Sequence, residues 1–102
     1  MTQRFVLSAA GDIVIRNRLF GEGAVRSPGF DALMAHMKQA DLVWGSCEVQ
    51  FSTRGFRTDS TIAYLVDPEV GRDLGRAGYE VMTVATNHTW DYGPDAFLDT
   101  LV

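Results

Sequence analysis

The chain has 102 residues, of which 46% are hydrophobic and 22% charged, and this composition is typical of one small folded domain and excludes a disordered tail. Its formal net charge is −4 and its basic residues are scattered, so we expect no nucleic-acid partner. The single cysteine, Cys47, excludes an internal disulfide and a cysteine-built zinc site. Asp12 interrupts the N-terminal apolar stretch and no long apolar segment follows, which predicts a cytoplasmic protein with no membrane segment.

The first part of the chain predicts a strand, a helix and a second strand. Residues 4 to 10, RFVLSAA, form an apolar run closed by Gly11, which is typical of a strand buried on both faces. Four apolar side chains then follow at the spacing of one helix face: Phe30, Leu33, Met34 and Met37. We expect this face to pack on the sheet. Residues 41 to 47, DLVWGSC, predict a second strand, parallel to the first because a helix connects them.

The middle of the chain predicts a loop, a short strand and a well-bounded helix. Residues 48 to 60 are polar and mixed, as in a long loop, and residues 61 to 66, TIAYLV, favour a short strand. In the next helix Asp67 is the predicted N-cap, Pro68 the first residue and Gly78 the stop. Its predicted buried face consists of Val70, Leu74 and Ala77.

The last part predicts a buried strand at residues 79 to 85, YEVMTVA, and a helix that begins at Pro94. We expect the apolar residues of this helix to point inward: Phe97, Leu98 and Leu101. No stop signal precedes Val102, so we expect an N-terminal part of a longer protein or a truncated one. The alternating pattern predicts an α/β fold in which helices flank a layered parallel sheet, as one domain over residues 1–102 that is incomplete at its C-terminus.

Polar residues follow three of the predicted strands, at the point where each strand ends. In open parallel sheets the carboxyl ends of the strands lie along one edge, and ligands bind there. The residues at these ends and in the last loop are Asp12, Glu48, Asn87, His88 and Asp91. We therefore expect their side chains to share one pocket.

Two carboxylates, an amide and an imidazole suit a divalent metal, and these ligand types do not select among Mn, Fe, Zn and Mg. Asp12 and Glu48 would repel each other without a cation between them. A metal at this edge would polarise a phosphoryl or carbonyl oxygen and generate hydroxide from bound water near neutral pH. His88 would then protonate the leaving group, and Asp91 would orient the imidazole.

Three segments resemble the CapA family, also called the poly-gamma-glutamate biosynthesis or capsule synthesis family, which is related to the calcineurin-like metallophosphoesterases. In order they are AAGDIVI (9–15), ADLVWGSCE (40–48) and GYEVMTVATNHTWDYG (78–93), and the Asn-His-x-x-Asp-x-Gly block is the most specific part. The resemblance implies the N-terminal half of a metallophosphoesterase-like α/β sandwich with a metal-dependent hydrolase site. Its implied substrate is a phosphoester or a polyanion such as poly-gamma-glutamate. The implied metal ligands are Asp12, Glu48 and Asn87, and the implied catalytic residues are His88 and Asp91.

The chain differs in three respects from the pattern of the CapA family or of the wider metallophosphoesterases, and Val14 is usual within the CapA branch. Ser46 and Cys47 replace the usual Asn-Leu before the acid, and Val14 stands where the wider metallophosphoesterases have a histidine. The chain has only two histidines, His36 and His88, and the related folds take further histidines from a C-terminal half. A complete two-metal centre therefore cannot be built from these residues.

Several other residues admit a structural or a functional interpretation. Trp44 is expected in the core, Cys47 as a buried thiol and His36 on the surface without a role, whereas Trp90 either walls a substrate pocket or packs on the fold. Four arginines lie in loops near the predicted site: Arg16, Arg18, Arg54 and Arg57. They either hold an anionic substrate or form a solvated surface, and the composition of ordinary surfaces favours the second.

Two alternatives to an enzyme stay open. In the first alternative, the chain is a noncatalytic module. It would complete its fold with a partner chain or as a homo-oligomer, through an exposed sheet edge and its last helix. A nucleotide-binding module ranks last because no glycine-rich phosphate loop follows the first strand.

Overall fold

The structure is a computed structural model that describes residues 2–102. Its elements in chain order are β1 (Leu7–Ile13), α1 (Pro28–Met37), β2 (Leu42–Cys47), β3 (Gln50–Phe51), β4 (Leu65–Val66), α2 (Pro68–Ala77), β5 (Val81–Thr83) and α3 (Gly93–Thr100). A parallel sheet has the order β1-β2-β5, and β3 and β4 form a second, two-stranded parallel sheet. The predicted α/β fold, with helices flanking a parallel sheet, is confirmed. Between residues 2 and 102 no helix has the length and apolar character needed to cross a membrane.

Local signals fix the ends of α2 where they were predicted. The Asp67 carboxylate accepts the Glu69 N–H at 2.8 Å, Pro68 is the first helical residue, and Gly78 ends the helix at φ 133°, a conformation that favours glycine. In α1 the cap is Ser27, whose hydroxyl accepts the Phe30 N–H at 3.1 Å.

The core lies between these two helices and one face of the main sheet. On the helix side, the predicted face of α2 is confirmed as buried, together with Met34 and Met37 of α1. On the sheet side, the side chains of Ile13 and Tyr79 fill the space next to Gly45 of the central strand. A Cβ at this position would overlap Ile13 and lie 3.1 Å from the Tyr79 ring. The close packing at the centre of the sheet therefore depends on this glycine.

The opposite face of the main sheet is open. The strand register places Leu7, Trp44 and Val81 on this face, where Leu7 is 54% exposed, Val81 is 44% exposed and Trp44 is half-buried. The predictions that the first strand is buried on both faces, that the last strand is buried, and that Trp44 lies in the core are therefore wrong. The reason is that α1 and α2 both pack on the other face.

The strands differ from the predicted bounds. β1 starts three residues later than expected and passes through Gly11, with a register shift between Ala9 and Asp12. Asp12 therefore lies within the strand and pairs with Ser46. In the segment 61–66 only Leu65 and Val66 form a strand, and the predicted 48–60 loop contains β3.

Three residues that were expected to point inward from helices are exposed: Leu33 of α1, Leu98 of α3, and Leu101, which directly follows α3. Periodicity identified the helices but not how much of each apolar face a neighbour covers. In α3 the buried residue is Ala96, because this helix packs on β3, where the Thr100 hydroxyl accepts the Phe51 N–H at 2.9 Å.

Candidate functional site

Two acids meet at the ends of neighbouring strands. Glu48 directly follows β2, and its N–H donates to the Ile13 carbonyl at 3.2 Å, which brings it beside Asp12 on β1. Burial raises the pKa of the Glu48 carboxyl, and the charge of Asp12 and a hydrogen-bonding contact with its carboxyl raise it further. Glu48 is buried while Asp12 is exposed. The protein thus holds a buried carboxyl against a second acid, where a proton or a cation would relieve the repulsion.

A histidine and a third acid lie close to this pair, and their charges also act on the pKa of Glu48. The His88 Nδ1 atom lies 2.6 Å from Asp91 Oδ2, and the two side chains are 14% and 5% exposed. The same oxygen accepts the Tyr64 N–H at 2.7 Å. Because an ionised carboxylate only accepts hydrogen bonds, this contact assigns the proton to Nδ1 and leaves Nε2 available to exchange one.

Threonines shape the turn that carries His88. The Thr86 hydroxyl accepts the His88 N–H at 3.1 Å, and the Thr89 hydroxyl accepts the Thr86 N–H at 2.8 Å while it donates to the Val84 carbonyl. These local hydrogen bonds turn the chain as it leaves β5, which is why the apolar strand ends in polar residues.

Gln50 holds the other half of the turn, and sequence reasoning missed it. Its side chain is almost fully buried; Nε2 donates to the Thr89 carbonyl at 2.7 Å and to the Gly93 carbonyl at 3.3 Å, and Oε1 accepts the Tyr92 N–H at 2.6 Å. One amide thus satisfies three main-chain groups of the segment that presents His88. The sequence signal is weak, because Gln50 lies in a segment without periodicity.

The loop 52–64 lies against the same turn. Thr58 donates from its N–H and its hydroxyl to the Asp91 carbonyl, at 2.8 Å and 3.0 Å. At the end of the loop, the Tyr64 ring lies 4.6 Å from the His88 ring, centre to centre, at an interplanar angle of 55°. Tyr64 therefore forms a wall of the site, a role that the predicted strand at 61–66 did not anticipate.

The structure brings together four of the five predicted site residues: Asp12, Glu48, His88 and Asp91. Asn87 is exposed in the same turn, and its side-chain amide makes none of the hydrogen bonds that fix the turn. Across residues 2–102, no three His, Cys, Asp or Glu side chains are arranged to hold a metal ion. The carboxyl oxygens available to a cation at this site are those of Asp12 and Glu48. Asn87, which directly precedes His88, carries a further amide oxygen.

The remaining predicted residues have structural contacts. Cys47 is buried as predicted, with its thiol donating to the Val49 carbonyl at 3.2 Å, and burial raises its pKa. His36 is exposed on α1. The Trp90 ring lies 5.7 Å from the Phe97 ring, so it packs on α3 while 52% of the residue stays exposed.

Three of the four arginines that were expected near the site form hydrogen bonds with other groups of the protein. Arg18 Nε donates to Asp73 Oδ2 at 2.7 Å, and Arg54 makes two hydrogen bonds of 2.8 Å to Asp99. Arg57 donates to loop carbonyls at 3.2 Å. Arg54 and Arg57 are nevertheless exposed, as the solvated-surface interpretation predicted.

The sequence of this chain matches known proteins over almost its full length. Residues 6–102 match the family described as bacterial capsule synthesis protein PGA_cap. Two relatives from Sinorhizobium fredii (strain NBRC 101917 / NGR234), named uncharacterized protein y4sH and uncharacterized protein y4uA, are each 31% identical over 102 residues, covering 94% of this chain and 22% of each relative. The chain thus spans about a fifth of the length of these curated relatives. The resemblance is confirmed, and the chain belongs to the bacterial capsule synthesis protein family, which has a metallophosphoesterase-like fold.

Proposed function

We propose that this chain supplies part of a metal-dependent hydrolase site that acts on a phosphoester or on a capsule-type polyanion such as poly-gamma-glutamate. The observation that carries the proposal is the contact between the Asp12 carboxyl and the buried Glu48 carboxyl, beside the His88–Asp91 pair. Membership of the capsule synthesis family supports the polyanionic substrate class.

Asp12 and Glu48 would hold the divalent cation, Mn, Fe, Zn or Mg, with the Asn87 amide oxygen as a further ligand. The donor chemistry fits, because a cation stabilises the charged form of a buried carboxyl that a neighbouring acid destabilises. When bound, such a metal polarises a phosphoryl or carbonyl oxygen and lowers the pKa of bound water. The remaining chemistry belongs to the protein side chains.

His88 would deliver a proton from Nε2 to the leaving group. Asp91 holds the opposite ring nitrogen at 2.6 Å, so it fixes the ring orientation and stabilises the imidazolium between proton transfers. Both side chains are largely buried, which limits access of water to this hydrogen bond.

Calorimetric titration with Mn²⁺ tests the metal site. We expect the double variant Asp12→Ala, Asn87→Ala to lose at least about tenfold in Mn²⁺ affinity, because it loses a charged and a neutral oxygen ligand. Asp59→Asn, which removes one exposed charge from the loop 52–64, is the matched control and keeps the wild-type affinity. Equal Mn²⁺ binding by the double variant and the wild-type chain contradicts the proposal.

A hydrolysis assay on the Mn²⁺-loaded chain tests the role of the histidine. With bis(p-nitrophenyl) phosphate and poly-gamma-glutamate as substrates, we expect His88→Gln to lower turnover by about a hundredfold while Mn²⁺ affinity changes little. Unchanged turnover on a substrate that the wild type hydrolyses removes His88 from the mechanism.

A noncatalytic assembly module is the second proposal, and the open sheet face favours it. Leu7 and Val81 are exposed on that face, where a second copy of the chain would bury them. Light scattering should then give the mass of a dimer that Val81→Lys dissociates. A monomer at all concentrations contradicts this alternative.

The cytoplasmic location and the lack of a nucleic-acid partner stay predictions.

A further inference from the structure

We propose that Arg16 binds the anionic group of the substrate and that the Tyr64 ring holds the Arg16 guanidinium beside His88. The inference rests on the proposed function and adds a residue that determines which substrates the site accepts. It is carried by the contacts that join these three side chains.

Arg16 differs from the other arginines near the site. Among residues 2–102 its guanidinium makes no ion pair and no hydrogen bond, and its side chain is exposed. It lies three residues after Ile13, the last residue of β1, and so near the strand end that carries Asp12. A positive charge at this position is free to meet a ligand.

Tyr64 connects Arg16 to the imidazole. The Arg16 Cζ atom lies 6.0 Å from the centre of the Tyr64 ring, within the range of a cation–π interaction, and the same ring contacts His88. The tyrosine hydroxyl makes none of the hydrogen bonds at the site, so the ring itself provides the surface. Because that ring contacts both residues, an oxyanion that reaches His88 also comes within range of a flexible arginine side chain.

Electrostatics gives Arg16 a function at this edge of the sheet. Without a bound cation, the acidic side chains of Asp12 and Asp91 repel an anionic substrate that approaches this edge. A guanidinium offsets that repulsion and offers paired N–H donors that match a phosphate or a carboxylate. Arg16 therefore selects anionic groups, and the two classes of substrate named above share that chemistry.

Anion titrations of the metal-free chain in EDTA test the proposal. The probes are inorganic phosphate, for a phosphoester, and glutarate, for the carboxylate of a glutamyl polymer, each followed by NMR shifts of Arg16 Nε–H and the His88 ring at constant ionic strength. We expect at least one anion to bind, and Arg16→Gln to weaken that binding by about tenfold or more. The anion that binds more tightly identifies the substrate class.

Variants separate the specific contact from general charge. Arg4→Gln removes an exposed arginine near the N-terminus and should leave anion affinity within about twofold of wild type. Tyr64→Phe keeps the ring and should keep the affinity, whereas Tyr64→Leu should weaken it several-fold. Thermal unfolding confirms that each variant is folded. The proposal is overturned if the wild-type chain binds neither anion, or if Arg16→Gln and Arg4→Gln behave alike.

The metal site is tested separately. We expect Arg16→Gln to retain Mn²⁺ binding, since Arg16 is not a proposed ligand. Retained Mn²⁺ binding together with unaltered anion binding in Arg16→Gln refutes the role of Arg16 and leaves the hydrolase proposal standing. Loss of Mn²⁺ binding in Arg16→Gln contradicts the separation of the two sites and overturns the inference.

Discussion

A single oxygen, Asp91 Oδ2, joins His88 to the backbone of Tyr64. It lies 2.6 Å from His88 Nδ1 and accepts the Tyr64 N–H at 2.7 Å, so the imidazole and the end of the loop 52–64 share one acceptor. Because Asp91 is 4% exposed, water cannot readily replace either hydrogen bond. The histidine orientation and the position of its aromatic neighbour therefore depend on the same carboxylate.

Asp91→Ala should disturb both contacts at once. We expect a loss of about 1 to 3 kcal/mol in the free energy of unfolding, because a buried N–H and the imidazole lose their acceptor. In ¹⁵N NMR the His88 ring should change from a single tautomer, protonated at Nδ1, to a mixture. Asp95→Ala, an exposed acid in the first turn of α3, is the control. A His88 spectrum that is identical in wild type and Asp91→Ala contradicts this assignment.

Gln50→Leu should destabilise the turn that carries His88. The variant keeps the side-chain size but removes the partners of the Thr89 and Gly93 carbonyls and of the Tyr92 N–H. We expect a loss of about 3 kcal/mol in urea unfolding followed by circular dichroism. Gln39→Leu, at an exposed position after α1, should change stability by less than about 0.5 kcal/mol. Equal stabilities for the two variants would show that Gln50 does not hold the turn.

Gly45→Ala tests the packing at the centre of the sheet. The new methyl group would overlap Ile13 and press on Tyr79, so we expect a loss of about 1 to 3 kcal/mol. Gly75→Ala is the matched control, since apart from its chain neighbours and the backbone of its own helix no atom lies within 4 Å of its Cβ position on α2. There alanine should stabilise the helix by up to about 1 kcal/mol. Chemical denaturation measures the change in the free energy of unfolding for both variants. We expect a decrease for Gly45→Ala and an increase for Gly75→Ala.

Acid stability should depend on Asp73. The hydrogen bond from the Arg18 guanidinium, with those from the Leu19 and Phe20 N–H groups, lowers the pKa of Asp73 from 3.8 to about 2. Since the folded pKa lies below the unfolded one, this stabilisation is complete above about pH 4 and is lost as pH falls towards 2. Asp99 acts in the same direction, because Arg54 and Ser52 lower its pKa to about 2.

The variant Asp73→Asn tests this pH dependence. We expect the free energy of unfolding to fall by about 1 to 3 kcal/mol at pH 7, and its decline between pH 4 and pH 2 to become shallower than in wild type. Asp59→Asn, exposed in the loop 52–64, should leave the curve unchanged. Parallel curves for wild type and Asp73→Asn between these pH values would show that Asp73 does not contribute.

The parts of the fold that local signals determine were predictable from the sequence. The bounds of α2 follow from Asp67, Pro68 and Gly78, and all three act within one turn of the chain. The meeting of Asp12 with Glu48 was also predictable, because parallel strands place their carboxyl ends together.

Other features depend on contacts that no local pattern encodes. Gln50 lies in a segment without a clear period and Tyr64 in one that predicts only a short strand, and their partners in the turn are 27 to 43 residues away. The exposure of Leu98 could not be predicted either, since periodicity defines an apolar face but not what covers it.

The hydrogen bonds of Gln50 have a consequence for the order of folding. They span 39 to 43 residues, so the chain segment between β3 and α3 must be closed before the turn takes its final shape. Closing a segment of this length costs conformational entropy, as does pairing the strands of the main sheet. Until that segment is closed, the chain lacks the hydrogen bonds that hold the turn and position its imidazole.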